Sequence, residues 1–280
     1  MKICTTRKSL QEYLEQLKQD GKTVGFVPTM GALHQGHLSL IAQAQQNADV
    51  VVCSVFVNPT QFNDPKDLEK YPRPIASDTE KLEQAKCDVL FNPDVSEMYN
   101  GNETWHLEIG ELEHLLEGEF RPGHYQGVTQ VVYKLFDIVE PGIAFFGQKD
   151  YQQFLIIQKM VELLHLPVKL IMCPILRDAD GLAMSSRNIH LSAEERQHAL
   201  ILSKTLNWLK QNFDRNQVPS LKSECEAMIN AEPGVNLEYF EIADGNNLHS
   251  ADQHTKKIVA LVAAKVGKTR LIDNVLLVHG

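Results

Sequence analysis

The chain of 280 residues lacks several features, and each absence narrows what it can be. There is no Gly-x-x-x-x-Gly-Lys-Ser/Thr run and no tight Gly-x-Gly-x-x-Gly, so neither a Walker A loop nor the usual dinucleotide fingerprint is present. The five cysteines (Cys4, Cys53, Cys87, Cys173, Cys225) are odd in number and include no Cys-x-x-Cys pair, which points to buried, reduced thiols. No stretch approaches membrane-spanning length, and Met1 to Leu10 has no apolar region of the signal-peptide kind, so no membrane is expected and a reducing cytoplasm is the expected address. Positive charge is also short. With 27 Lys and Arg against 36 Asp and Glu, the net charge is −9, which disfavours broad contact with nucleic acid and leaves room only for a local basic pocket. Internal repeats and low-complexity tracts are missing too. The remainder, 43% hydrophobic and 22% charged, is ordinary for a globular protein, and the length suits one large domain with a smaller one, or two moderate ones.

The stretch around which the rest is organised is Val27-Pro28-Thr29-Met30-Gly31-Ala32-Leu33-His34-Gln35-Gly36-His37. Thr23 to Val27 before it is a short apolar strand. After it, Leu38, Ile41, Ala42 and Ala44 fall at helical spacing toward Ala48. A Gly-containing loop therefore joins a strand to a helix, where unpaired N–H groups and the positive end of the helix dipole form an anion site. His34 and His37, three apart on the opening turn, fall on one side of it, and two imidazoles beside free amides suit a phosphate that gains charge during reaction.

Along the chain, Ser9 with Glu12 predicts a capped first helix that stops at Gly21. Asp49 to Val57 is a near-continuous β-branched run, as in a strand buried on both faces. Ser77 with Glu80 predicts a second capped helix to about Lys86, and Val89 to Phe91 a third strand. Asn92 to Gly127 is irregular and Gly-rich, the pattern of a lid or substrate wall, and Val128 to Val139 is helical. Ile143 to Phe146 and Val168 to Cys173 complete five strands alternating with helices. The expected fold is α/β: a Rossmann-like open parallel sheet with helices on both faces, spanning residues 1–175. Beyond it, Ser192 with Glu195 caps a helix to about Gln211, a second helix covers Leu221 to Asn230, and three strand-like runs follow at Leu237–Ile242, Lys257–Ala264 and Leu271–Val278. This gives a small C-terminal α+β domain over 176–280, a candidate lid.

Ligands of open parallel sheets bind beyond the strand C-terminal ends, and four of the five strands end there in polar or Gly-rich loops. Gly147-Gln148-Lys149-Asp150 follows a strand and opens a helix, placing the Lys149 point charge where it can meet a phosphate or departing pyrophosphate. Met184-Ser185-Ser186-Arg187 offers two hydroxyls and a guanidinium, a polyphosphate grip. Gln61, in Asn58-Pro59-Thr60-Gln61-Phe62, can donate and accept at once, as a small hydroxy acid requires. Gln152 or Gln153 could face the same cleft, and Arg121 with His124 could approach a carboxylate or phosphate from the irregular stretch.

The His-x-Gly-His tetrad near a first strand, with a later Met-Ser-Ser-Arg, resembles the two signatures of the nucleotidyltransferase superfamily. More closely, the chain resembles the pantothenate synthetase (pantoate–β-alanine ligase) family along essentially its whole length. The matching stretches are Pro28 to His37, Asn58 to Phe62, Tyr71-Pro72-Arg73, Arg121-Pro122-Gly123-His124, Gly147 to Asp150 with Gln153, Asp180 to Asn188, and Arg270-Leu271-Ile272-Asp273-Asn274. The resemblance implies condensation of (R)-pantoate with β-alanine through a pantoyl adenylate, with ATP as substrate and Mg²⁺ held chiefly by phosphate oxygens rather than by a protein ligand set. It assigns ATP binding to Met30, Gly31, Ala32, Leu33, His34, Gln35, Gly36 and His37, with His37 as proton donor beside His34 and Lys149. It adds Gly147, Gln148, Lys149, Asp150, Leu176, Met184, Ser185, Ser186 and Arg187 to the nucleotide site. Gln61 is assigned to pantoate and β-alanine, Gln153 to pantoate, and the assembly is implied to be a homodimer. Two positions depart from the pattern: Gln148 stands where Glu is commoner, and Pro74 where Thr is usual.

Overall fold

A computed structural model describes residues 1–101 and 103–279. Asn102, inside the irregular stretch, and Gly280, at the end of the expected second domain, lie outside the described residues. The chain divides into two compact units, Met1–Gly147 with Gln153–Cys173, and Gln148–Gln152 with Pro174–Gly280.

The first unit is built on a six-stranded, wholly parallel sheet of β1 (Lys2–Cys4), β2 (Val24–Thr29), β3 (Val50–Val55), β4 (Val89–Phe91), β5 (Ile143–Gly147) and β6 (Lys169–Cys173), in the order β1-β4-β3-β2-β5-β6. From β2 the chain runs outward through β3 and β4, then returns to lay β5 and β6 on the other side of β2. The carboxyl ends of β2 and β5 thus flank a topological switch point, the place where open α/β sheets bind ligands.

Side chains alternate across the sheet because the strand period is two. Val27, Val51, Cys53, Leu90 and Phe145 share a core with Leu40, Ile41, Ala44 and Leu82 from the helices Gln35–Gln45 and Ile75–Gln84. Neighbouring positions serve the other face, where Phe26 and Phe146 each meet Phe136 of the helix His124–Val139 edge to face. Phe26 and Phe145 are fully buried, and each such side chain contributes roughly 1.5–3 kcal/mol. Pro28 is tolerated within β2 because β5 pairs only with Gly25 and Phe26, so no bond to β5 is lost for want of its N–H.

The second unit holds a three-stranded antiparallel sheet, β7 (Val235–Asp244), β8 (Lys257–Val266) and β9 (Thr269–His279), with the helices Ala193–Asn212 and Val218–Asn230 packed over it. Ser192 and Glu195 form the expected reciprocal cap.

Local differences from the sequence reading have identifiable causes. The sheet has six strands, not five, because β1 is a three-residue edge strand, too short to show a hydrophobic period. Thr6, not Ser9, caps the first helix, and its side chain accepts the Ser9 N–H. The helix expected to start at Ser77 begins at Ile75 after Pro74, which gives no side-chain cap, and Ser77 lies within it. The helix expected from Val128 starts at His124, because Gly123, at φ 79°, supplies the left-handed residue that launches it. Within the irregular stretch, Leu107 is tied to that helix: Gln126 accepts the Leu107 N–H at 3.0 Å and donates to the Leu107 carbonyl at 2.9 Å.

All five cysteines are buried thiols. Burial pushes the Cys87 and Cys225 thiols up to about 12 and Cys173 to about 11, so they are inert packing groups at neutral pH. No helix among the described residues is long and apolar enough to cross a membrane.

Candidate active site

At the carboxyl end of β2 the loop is shaped before it reaches the histidines. The Thr29 hydroxyl donates to the Ser54 carbonyl at 2.7 Å and accepts the Gly31 N–H at 3.1 Å. Gly31 has φ 82°, and a Cβ there would lie 2.9 Å from Val55 Cγ1 and 3.0 Å from Asp78 Oδ2, so only glycine fits. Ala32 follows at φ 50°, a left-handed conformation that needs outside support. Asp78 supplies it. Its carboxylate, fully buried, accepts the Ala32 and Leu33 N–H groups, each at 2.8 Å. One turn along the same helix, Lys81 Nζ donates to the Leu33 carbonyl at 2.7 Å. The Ile75–Gln84 helix thus holds the loop by its donors and its acceptor together.

Two histidines then cap the helix Gln35–Gln45 reciprocally. His34 Nδ1 accepts the Gly36 N–H at 3.1 Å, and His37 Nδ1 accepts the His34 N–H at 3.3 Å. The rings lie 4.0 Å apart between centroids. Accepting at Nδ1 sets both neutral tautomers: the ring proton sits on Nε2. The Gly36 and His37 amides are bonded within the turn, the latter to the His34 carbonyl at 2.8 Å. Both imidazoles thus sit at the helix N-terminus, at the positive end of the dipole.

Gln61 is braced from several sides. Its Oε1 accepts from Asn58 Nδ2 at 3.2 Å, and its Nε2 points at Met30 Sδ, 2.8 Å away, so the turn after β3 touches the loop after β2. Tyr99 donates to Asn58 Oδ1 at 2.7 Å. His124 Nδ1 donates to the Gln61 carbonyl at 2.9 Å while Nε2 accepts from Arg121 at 3.1 Å. His124 is thereby a buried brace for Gln61, in contrast to the approach from a lid that the sequence suggested. Gly127 lets the helix come this close: a Cβ there would lie 2.2 Å from the Thr60 carbonyl oxygen. Gln153 is half-buried on the helix Tyr151–Leu163, and Gln152 is fully buried.

The second unit carries two further groups of expected site residues. Gln148, Lys149 and Asp150 form a single 3₁₀ turn, with Lys149 half-buried. Asn274 on β9 donates to the Gln148 and Lys149 carbonyls, both at 3.0 Å, and its Oδ1 accepts the Gln148 side-chain N–H at 3.0 Å. A carboxylate at position 148 could not donate that last bond. Leu176 to Met184 forms a tight hairpin in which the Met184 N–H bonds to the Leu176 carbonyl at 3.1 Å. It delivers Ser185, Ser186 and Arg187 to a short 3₁₀ segment capped by the Ser185 side chain, and Leu176 stays exposed. Arg177 holds the hairpin to Asp273 through two bonds of 2.6 and 2.9 Å. From the opposite side Arg196 reaches Asp178 at 2.7 Å and Asp180 at 2.8 Å, and its guanidinium holds the Asp180 carboxyl below the usual range.

Asp78, Lys81, Asn58 and Tyr99 were missed as supporting residues by the sequence reading, and Asp273 and Asn274 had no role in it. For the first pair a signal existed: an Asp and a Lys three apart on one helix face, passed over in favour of the Ser77–Glu80 pattern.

A parallel sheet with its switch point beside a His-x-Gly-His turn belongs to the class of α/β proteins that bind ligands beyond their strand ends. The family model described as pantoate-beta-alanine ligase matches residues 2–276, and the chain belongs to that family. It is 47% identical over 277 residues to a pantothenate synthetase of Bacteroides fragilis, covering 98% of each chain. It is 45% identical to that of Porphyromonas gingivalis, covering 98% of this chain and 99% of the relative. Among solved structures it is similar to the pantothenate synthetase of Thermus thermophilus, with TM-score 0.93, 39% identity and 99% and 100% of the two chains covered. It is also similar to the pantoate-beta-alanine ligase of Francisella tularensis in complex with beta-gamma ATP and β-alanine, with TM-score 0.81, 35% identity and 99% and 98% covered.

Proposed function

We propose that the imidazoles of the first unit and the cations of the second act on one ATP during condensation of (R)-pantoate with β-alanine. The overall reaction follows from family membership: the protein is an ATP-using ligase that forms pantothenate. The observation that supports the site reading is the reciprocal histidine cap, which holds two imidazole rings 4.0 Å apart between centroids at a helix N-terminus.

In the first half-reaction a pantoate carboxylate oxygen bonds to the α-phosphorus, and the bond to the bridging oxygen breaks, releasing pyrophosphate. Negative charge grows on the phosphoryl oxygens and the departing group. His34 and His37 donate to that charge from Nε2, with His37 as proton donor, while Lys149, Ser185, Ser186 and Arg187 neutralise the departing phosphates. Met30, Gly31, Ala32, Leu33, Gln35, Gly36, Gly147, Gln148, Asp150, Leu176 and Met184 complete the nucleotide site. The pantoyl adenylate is then attacked at its acyl carbon by the β-alanine amine, the acyl–oxygen bond breaks, and AMP leaves as the nitrogen gives up its proton. Gln61, whose amide is ordered by Asn58, holds pantoate and then β-alanine, and Gln153 holds pantoate. No covalent enzyme intermediate is needed, because the adenylate is the activated acyl group.

Magnesium fits this donor set as a companion of the triphosphate. Among the described residues no three His, Cys, Asp or Glu side chains are grouped to hold a metal ion, and the expected phosphate grips are hydroxyls and cations. Such an ion would supply charge neutralisation at the phosphates, beside Lys149, Ser185, Ser186 and Arg187. A homodimer in a reducing cytoplasm is the proposed setting, with small molecules rather than nucleic acid as partners.

Exchange of labelled pyrophosphate into ATP tests the reading. Exchange should require pantoate, and adding β-alanine should yield AMP and an amide. Exchange supported by other short hydroxy acids but not pantoate, or a stable adenylylated product in place of AMP, would overturn it.

A further inference from the structure

The Arg270-Leu271-Ile272-Asp273-Asn274 stretch belongs to the resemblance, yet none of its residues enters the chemistry above. Asp273 and Asn274 are nevertheless both buried, at 4% and 2% exposure, on β9. Polar side chains so buried must be bonded, and what they bond to is informative.

Asn274 uses every polar atom of its amide on one turn. Nδ2 donates to the carbonyls of Gln148 and Lys149, and Oδ1 accepts from the Gln148 side chain, contacts that span up to 126 residues of sequence. The turn is only three residues long, so holding two consecutive carbonyls fixes the peptide planes on both sides of the Lys149 Cα. The adjacent Asp273 serves the other grip. Its carboxylate takes both terminal nitrogens of Arg177, and Arg177 also donates to the Gly181 carbonyl at 3.2 Å within the hairpin that leads to Ser185. Asp273 Oδ1 further accepts the Asn274 N–H at 2.8 Å, tying the two residues together.

We propose that Asp273 and Asn274 are positioning residues, a two-residue clamp on β9 that sets the spacing between Lys149 and the Ser185–Ser186–Arg187 grip. The clamp thereby orders the cations for the charge that appears as pyrophosphate departs. This rests on the reading that Lys149 meets the phosphates. Neither clamp residue touches substrate; each acts through another.

The test is a double-mutant cycle with Asn274→Ala and Lys149→Ala in the full-length enzyme, read by pantoate-dependent pyrophosphate exchange and by thermal unfolding. Lys149→Ala should lower exchange at least tenfold with the fold intact. Asn274→Ala should lower kcat at least tenfold while KM for pantoate changes less than threefold. In the Lys149→Ala background the same Asn274 change should lower exchange less than threefold further, because the group it positions is already gone. A merely structural role would instead reduce the amount of folded enzyme and leave the kcat of the folded fraction unchanged. If Asn274→Ala gives no cooperative unfolding transition, the near-isosteric Asn274→Asp serves in the same cycle, since its carboxylate repels the two carbonyls that the amide held.

Additive losses in the cycle, or unchanged kcat in a folded Asn274 variant beside an impaired Lys149→Ala, would overturn the clamp and leave the role of Lys149 standing. Normal exchange in Lys149→Ala would overturn both.

Discussion

The His-x-Gly-His turn and the Lys149 and Ser-Ser-Arg grips are expected to serve the same phosphates, yet they are built in opposite ways. In the first unit chemistry and scaffold coincide. Four consecutive residues hold both imidazoles, and the histidines themselves cap the helix, each bond spanning two or three positions. From outside the loop, Asp78 and Lys81 hold the backbone that leads to them. In the second unit the cations sit on short turns with little structure of their own, and their placement comes from β9, about 96 to 126 residues away. A motif that carries its own support can be read from sequence. A motif whose support arrives through a distant strand shows its chemistry there and conceals its geometry.

That contrast can be broken most forcefully at Asp78. If a single buried carboxylate upholds the first turn, Asp78→Ala takes the partner from the buried Leu33 N–H and the half-buried Ala32 N–H and frees Ala32 from its left-handed conformation. Stability should fall by about 3 kcal/mol, since each buried donor left unsatisfied costs roughly 1–3 kcal/mol. Exchange per folded molecule should also fall, by about a hundredfold, as the histidine pair loses its register. Urea unfolding and exchange measured on one preparation check both; loss of stability with unchanged exchange would show that the cap is self-sufficient. The Asn274 and Lys149 cycle probes the second grip, where the larger expected change is in rate.

Gln61→Ala sharpens the comparison with a smaller effect. Because Gln61 is ordered chiefly by Asn58 and His124, its removal should weaken pantoate binding about tenfold and ATP binding less than threefold. Titration calorimetry with each ligand checks this, and equal losses would contradict it.

The same reasoning explains what the sequence disclosed of the fold. Long β-branched runs such as Val50 to Val55, and the Ser192–Glu195 cap, are local patterns with local causes, and they yielded the parallel sheet and the helical second unit. The edge strand Lys2–Cys4 was missed because three residues cannot display a period and its identity comes from pairing with Val89–Phe91. At Ile75 the helix begins without a side-chain cap, so the sequence signal pointed two residues too late. For the site, His34, His37 and Gln61 were visible as chemistry. What the linear sequence did not show is that the His34 imidazole accepts the Gly36 N–H within the turn.

The central claim is that residues of both units act on one nucleotide. A crystal structure of the enzyme with pantoate and a non-hydrolysable ATP analogue tests it most directly. The account expects Nε2 of His37 and Nζ of Lys149 each within about 3 Å of an oxygen of the same triphosphate. A triphosphate bonded by His37 with Lys149 on no phosphate oxygen, or the reverse, would contradict it.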